Sequence, residues 1–149
     1  MKKGGGGVSN GMKILGLDFG TKRIGVAVSD GLLITAQGRD SIIRKSLPED
    51  LAEINRVIKE DDVSEIVVGL PLNMNGTYSE KTREAIAFIE TLSGAVVIPV
   101  KTWDERLTSL QAEKAMLEAD ISRQKRRKLS DKVAAQLILQ CYLDFIKKG

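Results

Sequence analysis

The sequence has no histidine and a single cysteine, Cys141. The first absence excludes Ser-His-Asp triads, His-ligated zinc and imidazole acid–base catalysis, and the second excludes an intrachain disulfide. Aromatic residues make up only 4% of the chain, so base stacking is not expected as a main binding mode. No apolar run reaches the roughly 18 residues of a membrane span. The lysines of the opening MKKGGGGVSNG have no apolar run behind them, so neither membrane association nor a secretory signal is expected, and a cytoplasmic location is. Chemistry is left to carboxylates, lysine, hydroxyls or a bound metal.

What is present fits one globular domain. The hydrophobic fraction of 42% and charged fraction of 29% argue against disorder, and 149 residues bury one core but not two. Residues 1–11 read as a flexible glycine-rich leader, and residues 12–149 as the domain. A net charge of +3 favours polyanions only mildly, so the distribution of charge matters more than its sum.

Lys13 to Phe19 (KILGLDF) reads as a strand, Gly20 to Lys22 as a turn, and Arg23 to Ser29 (RIGVAVS) as the hairpin partner. A third strand is expected from about Leu33 to Ile43. Ser46, Pro48 and Glu49 mark a helix start. Glu65 to Pro71 (EIVVGLP) suits a strand buried on both faces, and Asn75-Gly76 signals a turn. Thr77 or Ser79 caps a second helix that Gly94 stops, and AVVIPV, ending at Val100, forms a fifth strand. Thr108 with Gln111 resembles a capping box, and a last helix is expected from about Ser130 to Lys147. A meander followed by alternating helix and strand predicts one mixed α/β sheet, its later strands parallel, with helices on its faces.

Three acidic places and one basic stretch stand out. Asp18 lies on the face of its strand that carries Ile14 and Gly16, and Gly16 leaves space beside it. A charge there needs a cation, a solvent end or a metal, so Asp18 is a salt-bridge partner of Lys22 or Arg23, an acid that hydrogen-bonds its own turn, or a metal ligand. On the last helix Lys132, Gln136, Gln140, Asp144 and Lys147 form one polar stripe, and Asp131 falls opposite it, with Ala135, Ile138 and Tyr142. Asp131 is therefore either a first-turn acid favoured by the helix dipole or an acid aimed at the sheet. Asp104 and Glu105 lie just beyond a strand's carboxyl end, where α/β sheets place their sites, and spacing alone does not choose between them. Arg123, Lys125, Arg126, Arg127 and Lys128 include no acid and read as a mobile loop. Cations beside carboxylates suit a phosphodiester, the bases holding the backbone while the acids hold metal at the scissile phosphate.

LDFGTKRIGVAVSD, VVGLPLNMNG, DERLTS and DKVAAQLILQCYL together resemble, in order and spacing, the four motifs of the YqgF family, also called RuvX, a bacterial branch of the RuvC-like nucleases. The resemblance covers nearly all of Met12 to Ile146. It implies an RNase H-like fold, with a five-stranded mixed sheet of a three-strand antiparallel meander and two parallel strands, and helices on both faces. It implies a metal-dependent nuclease, described in the family both as a Holliday junction resolvase and as a nuclease maturing the 5′ end of pre-16S ribosomal RNA. Carried over by motif, Asp18, Glu105 and Asp131 are the metal-binding and catalytic acids. RuvC itself has its second acid at the end of the fourth strand, where this chain has VGLP. Two divalent ions about 4 Å apart, magnesium or manganese by ligand hardness, would activate water and stabilise the leaving oxygen. Lys22 and Arg23, with the basic stretch, would bind nucleic acid, either a DNA junction or precursor rRNA, as monomer or homodimer. Two rival readings are a non-catalytic nucleic-acid module on the same fold, and a phosphotransferase, because DFGT also resembles the phosphate loop of the actin and sugar-kinase superfamily.

Overall fold

The structure, a computed structural model, describes residues 12–108 and 123–148, with the side chains of the last helix described from residue 133 to 147. Five strands form one sheet: β1 (Lys13–Phe19), β2 (Arg23–Ser29), β3 (Ala36–Ile43), β4 (Val63–Leu70) and β5 (Val100–Asp104), in the order β3-β2-β1-β4-β5. β1 pairs antiparallel with β2, and β2 with β3, while β4 runs parallel to both β1 and β5. The carboxyl ends of β1, β4 and β5 therefore open on one edge of the sheet, as expected of the mixed topology.

Helices α1 (Leu47–Glu60) and α2 (Glu80–Ala95) cover one face, over a core that includes Leu15, Leu17, Ile66, Val68, Ile54, Phe88 and Leu92. Helix α3 (Arg123–Lys148) covers the other, where Ile14, Ala27 and Val67 meet Ala135, Ile138, Leu139 and Leu143. The caps of α1 and α2 follow from local chemistry. The Ser46 side chain accepts from the Glu49 backbone at 3.3 Å, and Ser79 and Thr82 close a reciprocal capping box. Ser79, not Thr77, caps α2, because Thr77 belongs to the preceding turn, where its amide donates to Asn75 Oδ1 at 3.1 Å. Gly94 does not stop α2, which ends one residue later at Ala95.

Four further boundaries differ from the sequence expectations. β3 begins at Ala36 because the Asp30 carboxylate accepts from the amides of Ile34 and Thr35, at 2.7 and 2.9 Å, and folds the segment into a turn with Leu33 at φ 60°. β5 begins at Val100, after Pro99, which has no N–H for the ladder; Val96 and Ile98 pack on the core from outside the strand. Residues 105–108 are helical, so Thr108 lies inside a helical turn and does not cap one. Its proposed partner Gln111 lies outside the described residues. α3 begins at Arg123, not near Ser130, so the basic stretch has helical backbone in place of a mobile loop. Arginine, lysine and glutamine are good helix formers, and this outweighs the self-repulsion of the run.

The polar stripe of α3 is not simply solvated. Gln140 accepts from the Ala36 amide and donates to the Ile34 carbonyl, each at 3.0 Å, while Gln136 donates to the Ala36 carbonyl at 3.0 Å. The two glutamines satisfy the backbone at the start of edge strand β3. Gly16 sets how closely α3 approaches the sheet, since a Cβ there would lie 2.8 Å from Leu139 Cβ. The space beside Asp18 is thus filled by the helix. Leu139 Cβ moves only with its backbone, so Gly16→Ala is expected to cost about 1–3 kcal/mol by overpacking, read as a lower urea midpoint with unchanged slope.

Candidate active site at the carboxyl edge of the sheet

Asp18 is the penultimate residue of β1, half-buried, on the α3 face of the sheet. The β1–β4 register pairs Leu17 with Val68, which puts Asp18 beside Gly69 on the next strand. Glu105 follows the last residue of β5 and folds back across β4: a Cβ on Gly69 would lie 2.7 Å from Glu105 Oε2 and 2.8 Å from its Cγ. Glu105 therefore occupies the room that a side chain at position 69 would fill. With adjacent strands about 4.8 Å apart, the Asp18 and Glu105 carboxylates meet at the end of the central strands. An acid just beyond β5 thus reaches the end of β4, where VGLP supplies none.

The geometry also separates the two neighbouring acids. Asp104 accepts the Arg106 amide at 3.0 Å, opening the helical turn of residues 105–108, and pairs with the Arg106 guanidinium at 2.6 to 3.1 Å. Those bonds hold its carboxyl below the usual range. Arg106 also donates to the Met74 carbonyl at 3.1 Å, tying this turn to the Asn73–Thr77 loop. Glu105 has the opposite surroundings. Burial first, and then the negative charge of Asp18, push its pKa from 4.5 up to about 7, with Lys81 pulling the other way.

Asp18 and Glu105 line a cleft of about 290 Å³, shared with Gly20, Thr21, Pro71, Lys81 and Glu84. A larger groove of about 740 Å³ lies at the opposite edge, between β3 and α1, but holds none of the candidate acids. Several of its charges pair with one another, Arg56 with Glu53 and Glu60, and Arg39 with Asp61.

The remaining candidates sit around the cleft or outside the described side chains. Lys22 and Arg23 are exposed at the β1–β2 turn, next to Asp18 in sequence. α3 runs antiparallel to β4, since Ile138 meets Gly69 while Tyr142 donates to Glu65 near the strand's start. Position 131, one turn or about 6 Å before Ala135, therefore lies on α3 toward the end of the sheet that carries Asp18. The side chains of Asp131, Arg123, Lys125, Arg126, Arg127 and Lys128 lie outside the described residues. Among the described residues no cluster of three or more acidic, histidine or cysteine side chains is poised to hold a metal, and Asp18 and Glu105 form a two-carboxylate set.

Sequence reasoning passed over two residues here. Gly69 is an isolated glycine within a buried strand, a pattern that signals close approach by another group. Lys81 is a cation in the first turn of α2, where the helix dipole disfavours positive charge, and that mismatch was a usable signal.

The structural likeness is to Holliday junction resolvases. RuvC of T. thermophilus, solved in complex with a Holliday junction substrate, superposes with TM-score 0.61 at 16% identity, covering 93% of this chain and 96% of that one. The Fowlpox virus resolvase, solved with Holliday junction DNA, gives 0.52 at 14% identity, with coverage of 91% and 99%. At such identities the likeness establishes the RuvC-like fold. In sequence the chain is 53% identical to a protein of Clostridium novyi, covering 91% of this chain and 100% of that one, and 49% identical to one of Halothermothrix orenii, covering 92% and 98%. Both relatives bear the name "Putative pre-16S rRNA nuclease". The family model described as "RuvX: Holliday junction resolvase" matches residues 12–145. The chain belongs to the RuvX family.

Proposed function

We propose that this chain is a divalent-metal-dependent nuclease that cuts phosphodiester bonds of structured nucleic acid in the cytoplasm, with precursor 16S rRNA as its substrate. The observation that carries the chemistry is Glu105 folded over Gly69 beside Asp18. Two carboxylates at a cleft, with room left for water and a phosphate oxygen, match how magnesium is bound, so the donor set fits a hard divalent ion, magnesium or manganese. A cation held there supplies a Lewis acid for the phosphoryl oxygen and a bound water of lowered pKa. The choice of rRNA rests on relatives about half identical over nearly their whole length; the resolvases share the fold at identities too low to carry a substrate.

In this reading Asp18 and Glu105 hold the cation, and Asp131, one helical turn before Ala135, completes the acid set. Lys81 in the cleft wall and Lys22 and Arg23 on the neighbouring turn offset substrate charge. The basic residues of α3, Arg123 to Lys128, grip the backbone leading into the cleft. A monomer suffices for trimming RNA, whereas paired incision of a junction would call for a two-fold dimer.

The test is cleavage of labelled rRNA precursor, four-way junction and duplex DNA by the purified protein, with manganese and with chelator. Manganese-dependent cutting of the precursor is expected. Cutting of the junction alone would overturn the substrate assignment, and cutting that survives chelation would overturn the metal. Replacing Arg126 and Arg127 together should weaken binding and flatten its salt dependence by about 0.9 log unit per lost phosphate contact; an unchanged slope contradicts the backbone role. Gly69→Ala should depress cleavage and also lower stability, because a new methyl meets Glu105 Oε2 and Cγ at 2.7 and 2.8 Å and Cδ1 of the fully buried Ile138 at 2.6 Å, displacing the carboxylate and overpacking the core.

A further inference from the structure

Behind the Asp18–Glu105 cleft lies a second pocket, of about 330 Å³, walled by Phe19, Arg44, Leu47, Ala87, Phe88 and Thr91. Phe19, Thr21 and Glu84 line both, so the two spaces adjoin across a shared wall. The first is acidic and polar. The second is walled by a layered stack, with Phe88 on one face of Phe19 at 4.3 Å between centroids and the Arg44 guanidinium 4.6 Å over the other, so that Phe19 meets the pocket by its edge.

The shared wall is built rigidly. Arg44 Nη1 donates to the carbonyls of Gly20 and Thr21, at 3.4 and 3.3 Å, and its Nε pairs at 3.3 Å with Asp50, which is 1% exposed. The Lys45 amide donates to the other Asp50 oxygen at 2.9 Å. A buried carboxylate thus fixes the guanidinium, and the guanidinium fixes the turn that follows Asp18. The same pairing decides what the pocket accepts. The charge of Arg44 is already met by Asp50, and Glu84 adds a negative charge, so the pocket disfavours phosphate and suits a flat, neutral ring. Glu84, and the Thr91 hydroxyl, which donates to the Ala87 carbonyl at 3.0 Å, leave acceptor oxygens for a ring's edge.

We propose that this pocket takes one unstacked nucleobase of the strand whose phosphodiester lies in the Asp18–Glu105 cleft. The inference rests on the nuclease reading for its neighbour but names a binding site of its own. Splayed single-stranded bases held on aromatic and guanidinium groups are the usual currency of sequence readout in RNA.

The test is binding of a fluorescein-labelled rRNA-precursor oligonucleotide, followed by anisotropy in chelator so that nothing is cut, with a single abasic nucleotide moved along the strand. One position is expected to weaken binding roughly tenfold. Ala87→Leu, at an exposed site on α2, fills the pocket. It should weaken the intact strand by the same factor and leave the abasic strand unchanged. Thr91→Leu, also exposed, should repeat the result should Ala87→Leu misfold. A flat abasic profile, or a profile that persists in the filled variants, overturns the pocket. Absence of cutting in manganese with the profile intact overturns the nuclease reading and leaves the pocket standing.

Discussion

Glu105→Gln is expected to make the metal-free protein more stable at pH 8 while abolishing its cleavage. The folded-state pKa of Glu105 is about 7, above the ordinary 4.5. Below the ordinary value Glu105 is protonated in both folded and unfolded chains, and its contribution to stability is fully present. As pH rises through about 7 that contribution is lost, because the folded protein must carry a charge that burial and Asp18 oppose. At 1.36 kcal/mol per pKa unit, discounted for partial exposure, the loss is about 1–3 kcal/mol. Glutamine keeps the shape and removes the charge. In chelator at pH 8 the variant should melt about 3–8 °C above wild type, and at pH 4 the two should coincide. Manganese should raise the melting temperature of wild type and leave the variant where it is. Equal melting at pH 8 would show that Glu105 carries no such strain.

Asp18→Asn is expected to lower the cleavage rate at least about a hundredfold, corresponding to roughly 3 kcal/mol of transition-state stabilisation. Binding should survive, since the phosphate grip assigned to Lys22, Arg23 and the basic residues of α3 does not pass through Asp18. The variant should also lower the Glu105 pKa, because the second cause of its rise is the Asp18 charge. Single-turnover cleavage together with anisotropy separates the two effects. Normal cutting by the pure variant would remove Asp18 from the site, and loss of binding in step with cleavage would point to a structural role.

The elements most legible in the sequence were those whose signals are local. The β1–β2 hairpin, the Ser46 and Ser79 caps and the Asn75-Gly76 turn each depend on a few adjacent residues, and the structure holds them. Asp18 at the end of a central strand could be read because strand alternation fixes its face. The misplacements arose where a distant group or a competing preference decides. Pro99 moved β5 forward by denying the ladder a donor, and Asp30 delayed β3 by capturing two amides. The run from Arg123 to Lys128 looked too highly charged to be ordered, yet its residues favour helix. Asp104 and Glu105 could not be told apart from spacing. What separates them is tertiary: Asp104 opens a helical turn and holds Arg106, while Glu105 crosses to the bare Gly69. The glutamines of α3 read only as part of a polar stripe, because nothing local announces that β3 begins beneath them.

The central claim is that Asp18 and Glu105 act as one metal site, and manganese binding to the full chain tests it most directly. Calorimetric titration of wild type, Asp18→Asn, Glu105→Gln and the double variant should show one loss of affinity shared by all three. The double variant should be no worse than either single, as expected of groups that act as a unit. Wild-type affinity in both single variants, or losses that simply add, would contradict it.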